Sequence, residues 1–209
     1  MTKTQKDREV MAKEYDAIHN RLFILQVLLL GTLLAAYQFS GASAGLANGL
    51  AERFGGKLWY ATNAVYTIIS VFGFAACMFP FSYYSGHVLE RHYELSNETF
   101  GDWLGDFIKS LAIDLVLATI LFSVIYALLR WLPEIWWLAA ALFYILFAVV
   151  LSTIAPVVIM PLFHKFEPIE EGELASDVRA MMEESGIKVV GVFKWGLEEK
   201  TSTANAAFT

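Results

Sequence analysis

A chain of 209 residues is long enough for one or two soluble domains, yet 57% of its residues are hydrophobic, 15% aromatic and only 17% charged, a balance that belongs to a membrane protein. The formal net charge of -6 comes mostly from carboxylates in the polar segments, and no block of Lys and Arg is present to track a phosphate backbone, so no nucleic-acid partner is expected. The single cysteine, Cys77, lies inside an apolar run, which excludes a disulfide framework within the chain and makes a small core hydrophobe its default role.

The first 21 residues mix Lys3, Lys6, Arg8, Lys13 and Arg21 with Asp7, Glu9, Glu14 and Asp16, and an apolar stretch of spanning length follows. A cleaved signal peptide has a shorter apolar region, and although small residues (GASAGLA, 41–47) come after it, the first run reads as a retained transmembrane helix. Crossing a hydrocarbon core of about 30 Å takes about 20 helical residues. Four runs are long enough: residues 22–39, 58–83, 107–132 and 135–163. The last contains Pro156 and Pro161, each without an N–H and in steric conflict with the carbonyl four residues back, so the carbonyls of Ser152 and Val157 lose their helical partners and a kink or break is expected.

Of the 15 Lys and Arg residues, only Arg53, Lys57 and Arg130 fall on one side of these four spans. The other twelve lie in the N-terminal segment, around the central loop and in the C-terminal segment, so the positive-inside rule places both termini in the cytoplasm. The central loop, residues 87–103, ends in helix-start chemistry: Thr99, with Asp102 three residues on, resembles a capping box ahead of the apolar Trp103, Leu104 and Phe107. Asp114 is an ionisable group at membrane depth, where such groups face a bundle interior or a water-filled cavity, for function or for structure.

Beyond the fourth span, residues 173–184 have the spacing of an amphipathic helix, with Leu174, Val178, Met181 and Met182 on one face and Gly186 as its stop. Residues 188–194 and 201–209 read as strands. One helix and two strands cannot bury enough surface to stand alone, so the expectation is an all-α membrane bundle of four transmembrane helices (residues 1–163) followed by the beginning of an α+β soluble domain (164–209).

Several of these stretches resemble a known family. PLFHKFEPIEEGEL (161–174), GIKVVGVFKW (186–195) and KTSTANAAFT (200–209) are similar to the segment that leads into the catalytic motif of the type I CAAX prenyl proteases. LERHYELSNETFGDWLGDFIKS (89–110) resembles the family's loop between its second and third spans, with Tyr93, Leu95, Ser96, Asn97, Thr99 and Lys109 matching. The resemblance implies a metalloendopeptidase in a helical membrane barrel around a large chamber, a zinc cofactor on the cytoplasmic side, a lipid bilayer as environment, and peptide or prenylated-protein substrates cleaved near their C-termini. It leaves open a bacterial inner membrane or the endoplasmic reticulum.

In that family the zinc ligands are two histidines of an HExxH helix and a later glutamate, with the glutamate between the histidines activating the metal-bound water. No histidine follows His164 here and no His-Glu pair occurs, so neither a catalytic nor a metal-binding residue is expected in this chain. His87 and His92 flank Glu90, but five helical residues set them about 140° apart, and the inverse zincin order needs the second His directly after the Glu. With His19 and His164 they read as polar juxtamembrane residues that snorkel or bond locally. The resemblance carries one substrate-binding position over to Asn205, flanked by Ala204 and Ala206, in a small-residue strand where substrate backbone pairs by strand addition; the plainer alternative is a strand residue that bonds locally. His164, Lys165 and Glu173 also match and read as structural. Two other classes compete: a non-catalytic four-span scaffold or binding protein, and a small transporter using Asp114 and Asn63, the latter opposed by the lack of paired broken helices.

Overall fold

A segment in hydrocarbon has no water to satisfy its N–H and C=O groups, so it folds into a helix that satisfies them internally. The computed structural model describes residues 3–55, 58–163, 166–168 and 193–195. Its helices are α1 (Lys3–Phe39), α2 (Ala42–Phe54), α3 (Trp59–His92), α4 (Phe100–Trp131) and α5 (Trp136–Phe163). All but α2 contain a stretch long and apolar enough to cross a membrane. At 13 residues α2 is about 20 Å long, short of the hydrocarbon thickness.

The helices outrun the sequence-based boundaries. α1 starts at Lys3, well before residue 22, because the mixed-charge N-terminal segment is helical too. α3 does not stop at residue 83: it passes through a wide π turn, Tyr84–Leu89, and ends with Glu90–His92. Residues expected in the central loop are therefore helical up to His92. The wide turn follows Pro80, a residue inside α3 that cannot donate to the carbonyl four positions earlier. Of the kink or break expected in α5, no break occurs, but the helix leaves α geometry at Pro156. The helix widens into a π turn, Ala155–Ile159, in which the Met160 N–H reaches back five residues to the Ala155 carbonyl, and then continues to Phe163.

The chain divides into two compact units, Met1–Leu146 and Phe147–Thr209. In the first, α3 is the central element, with α1, α2 and α4 packed on it. α4 runs antiparallel to α3, since Asn63 near the start of α3 meets Ser123 late in α4, while Phe79 near the other end meets Phe107. α1 is antiparallel to α3 by the same logic: Tyr15 meets Glu90 and Tyr37 meets Ser70. Apolar packing has no hydrophobic drive in lipid, so contacts between such helices draw on hydrogen bonds as well. Gln26 Nε2 donates to Ser85 Oγ (3.4 Å), Asn63 Nδ2 donates to Ser123 Oγ (3.1 Å), Tyr37 and Ser70 share a bond of 2.9 Å, and Ser43 of α2 shares one of 2.8 Å with Tyr66.

In the second unit, the strands β1 (Phe166–Pro168) and β2 (Phe193–Trp195) pair antiparallel, with Phe166 opposite Trp195 and Pro168 opposite Phe193. β1 had no counterpart among the expected strands, and β2 overlaps the 188–194 prediction only at residues 193 and 194, the rest of that stretch lying outside the described residues. The expected helix 173–184 and strand 201–209 lie outside the described residues.

Candidate functional site

The stretch that carries the loop resemblance, residues 89–110, joins α3 to α4, and its geometry is built from three local devices. The first closes α3. Glu94 takes a left-handed conformation (φ 56°), the Leu95 N–H reaches back to the Glu90 carbonyl (2.9 Å), and the Glu94 N–H bonds the Arg91 carbonyl (3.2 Å). This is a Schellman ending with a glutamate where glycine is usual. The second opens α4. Thr99 is extended (φ -74°, ψ 160°), its Oγ1 accepts from the Asp102 N–H at 3.3 Å and donates to Asp102 Oδ2 at 2.6 Å, so the expected capping pair is present. Thr99→Ala is expected to destabilise the protein by about 1 kcal/mol, measurable as a lower unfolding midpoint in detergent, while Thr99→Ser retains most of the cap.

The third device is the packing that these caps aim. Trp103, on the first turn of α4, is only 8% exposed. Its ring lies 5.4 Å from Tyr83, 5.9 Å from Phe79, 5.6 Å from Phe107 and 5.9 Å from His87. The wide turn of α3 supplies the space: a Cβ on Gly86 would lie 3.1 Å from Trp103 Nε1, closer than nearly any side chain tolerates. His87, on the same turn, is 6% exposed, stacked on Tyr83 at 5.6 Å and edge-on to Phe100. The expectation that His87 snorkels is corrected, because the π turn rotates it onto the aromatic cluster and away from water.

Outside this cluster, Tyr15 of α1 donates to Glu90 Oε1 (3.1 Å) and packs against His19 and Tyr93, with ring separations of 5.6 and 5.4 Å. His92 sits edge-on to Tyr93 at 5.1 Å. Each histidine in the described residues is thus engaged with aromatic rings, and among those residues no group of three or more His, Cys, Asp or Glu side chains gathers as a metal ion would need. Asn205, Ala204 and Ala206 lie outside the described residues, as does His164. Asn63 is committed to Ser123, and Asp114 is exposed on α4 with no hydrogen bond or ion pair among the described residues. Sequence reasoning missed the Tyr15–Glu90 link and the wide turn. Pro80 was the available signal for the turn, whereas nothing local marks a tyrosine as the partner of a glutamate 75 residues away.

Antiparallel apolar helices tied by side-chain hydrogen bonds, with caps and an aromatic cluster at one end, define an integral membrane protein of the multi-span helical class. The family model described as CAAX prenyl protease N-terminal, five membrane helices, matches residues 5–165, and the chain belongs to that family. Within the matched range, four helices have the length and apolarity of membrane spans and α2 is an additional shorter one. The chain is similar to YhfN, an uncharacterized metalloprotease of Bacillus subtilis (27% identity, covering 95% of this chain and 46% of that protein), and to CAAX prenyl protease 1 of Saccharomyces cerevisiae (31% identity, 62% of this chain and 29% of that protein). The crystal structure of S. mikatae Ste24p shares the fold, with a TM-score of 0.79 at 24% identity over 96% of this chain and 48% of that one. The chain therefore spans less than half the length of these proteins.

Proposed function

We propose that this chain is the N-terminal membrane portion of a zinc metalloendopeptidase that removes C-terminal peptides from prenylated or other membrane proteins. The observation that carries this is the family match over residues 5–165 on a fold with four membrane-capable helices. Residues 1–163 form the transmembrane domain and 164–209 begin the protease domain, with both termini cytoplasmic by the distribution of Lys and Arg. When bound, zinc supplies an activated water for peptide hydrolysis. The described residues offer no ligand set that fits it. The family's zinc ligands, two histidines of an HExxH helix and a later glutamate, have no match in this sequence. This chain's own contribution is to hold the cytoplasmic ends of α1, α3 and α4 together through Tyr15–Glu90 and the Trp103 cluster, and to supply Asn205, with Ala204 and Ala206, as the position the resemblance assigns to pairing with substrate backbone.

The test uses the full-length gene product, purified in detergent and offered a farnesylated CAAX peptide, its unprenylated counterpart and an unfolded membrane-protein substrate. Chelator-sensitive cleavage restored by zinc is expected. A full-length product that cleaves none of these and holds no zinc replaces the protease with the alternative, a non-catalytic membrane scaffold or binding protein.

A further inference from the structure

The end of the α3–α4 pair opposite the Trp103 cluster carries a second aromatic group. Trp59, at the start of α3, is stacked on Tyr126 (6.0 Å) and edge-on to Trp131 (6.0 Å) and Tyr60 (6.1 Å). The Arg130 guanidinium lies 5.8 Å from the Trp59 ring centroid. This group is unlike the interhelical contacts deeper in the bundle because it contains hydrogen-bond donors and no partnered acceptor. The indole N–H groups of Trp59 and Trp131, the hydroxyls of Tyr60 and Tyr126, and the guanidinium make no hydrogen bond or ion pair among the described residues. Glu134, the carboxylate nearest to Arg130 in sequence, is exposed and forms no described ion pair.

Depth sets what such a group meets. Arg130 follows Lys109 by 21 positions on one continuous helix, which is about 32 Å of rise, matching the hydrocarbon thickness of about 30 Å. The only formal charge between them is Asp114. With Asp102, Asp106 and Lys109 at one headgroup layer, Arg130 reaches the other, where phosphates are the abundant acceptors. The guanidinium carbon lies over the Trp59 ring, and the side chain is exposed, so the cation is within cation–π range of the indole while its donors meet the surroundings, and phosphate oxygens are acceptors an arginine takes.

We propose that Arg130, held over Trp59, whose ring also packs on Tyr60 and Tyr126, binds the phosphodiester of a phospholipid headgroup in the leaflet opposite Lys109. The protein therefore carries one specifically retained lipid at this end of the α3–α4 pair.

Native mass spectrometry of the purified chain, titrated with phosphatidylglycerol in detergent, tests this. Wild type is expected to retain one lipid that Arg130→Gln holds about fivefold more weakly, the effect of one cation at a membrane surface. Arg53→Gln, on α2, serves as the control and leaves retention unchanged. Trp59→Leu should weaken retention as well, and should Trp59→Leu fail to fold, the exposed Arg130 still decides the matter. Equal retention by wild type and Arg130→Gln overturns the proposal. Loss of the lipid when glycerol phosphate is added at millimolar concentration overturns it too, since the site would then be a free-phosphate site.

Discussion

Trp103→Ala is expected to destabilise the protein by about 3–5 kcal/mol, the range for emptying a buried aromatic site. The residue is 8% exposed and is the side chain on which Phe79, Tyr83 and His87 of α3 converge with Phe100 and Phe107 of α4. Its truncation removes ring contacts from both helices at once and leaves His87 beside a void. The Gly86 Cα, which approaches the indole so closely that a Cβ would sit 3.1 Å from Nε1, loses its cover as well. Denaturant titration in mixed micelles reads the change, and Trp103→Phe should cost distinctly less because a ring still fills most of the site. A loss below about 1 kcal/mol for Trp103→Ala would mean that the cluster does not join α3 to α4.

A comparable effect is expected from a charge placed on an exposed side of α5. Leu146 is 61% exposed and lies ten residues into the helix that starts at Trp136, about 15 Å along a core about 30 Å thick. An arginine at the centre of a membrane helix costs about 3 kcal/mol on the insertion scale. Leu146→Arg should therefore reduce membrane integration of α5 severalfold, seen as a falling fraction of singly spanning product in a glycosylation-mapping assay. Leu146→Phe should integrate as the wild type does. If Leu146→Arg integrates normally, that face of α5 is not in lipid.

The four membrane-capable helices were legible in the sequence because the signal is a bulk one: a run of about 20 apolar residues with few charges is a helix in lipid whatever its neighbours are. The Thr99–Asp102 cap was legible for a local reason, since both partners lie within three residues. What escaped depended on contacts across the fold. The mixed-charge segment before residue 22 carries no apolar run, so its inclusion in α1 did not show. α2 (Ala42–Phe54) is too short for the spanning-length criterion that picked out the other helices, and its small residues were noted only as following the first run. At the α3 end, Pro80 was visible, but that it precedes a π turn turning His87 and Leu89 inward depends on Trp103 being there to receive them. His87 was therefore read as a surface group when it is part of the aromatic packing. Asp114 was expected to face a bundle interior or a water-filled cavity, whereas among the described residues it is exposed on α4, apart from the Asn63–Ser123 pair with which a transporter reading had joined it. The role of Asn205 stands on the resemblance, since the residue lies outside the described ones.

On the proposed function, this stretch supplies membrane architecture and a lead-in to the site and does not itself hold the zinc. Metal analysis of the purified 209-residue chain by inductively coupled plasma mass spectrometry, after dialysis against a weak chelator, tests it most directly. Zinc far below one equivalent and no cleavage of a farnesylated CAAX peptide are expected. One tightly held zinc per chain, lost on mutating His19, His87, His92 or His164, would contradict it.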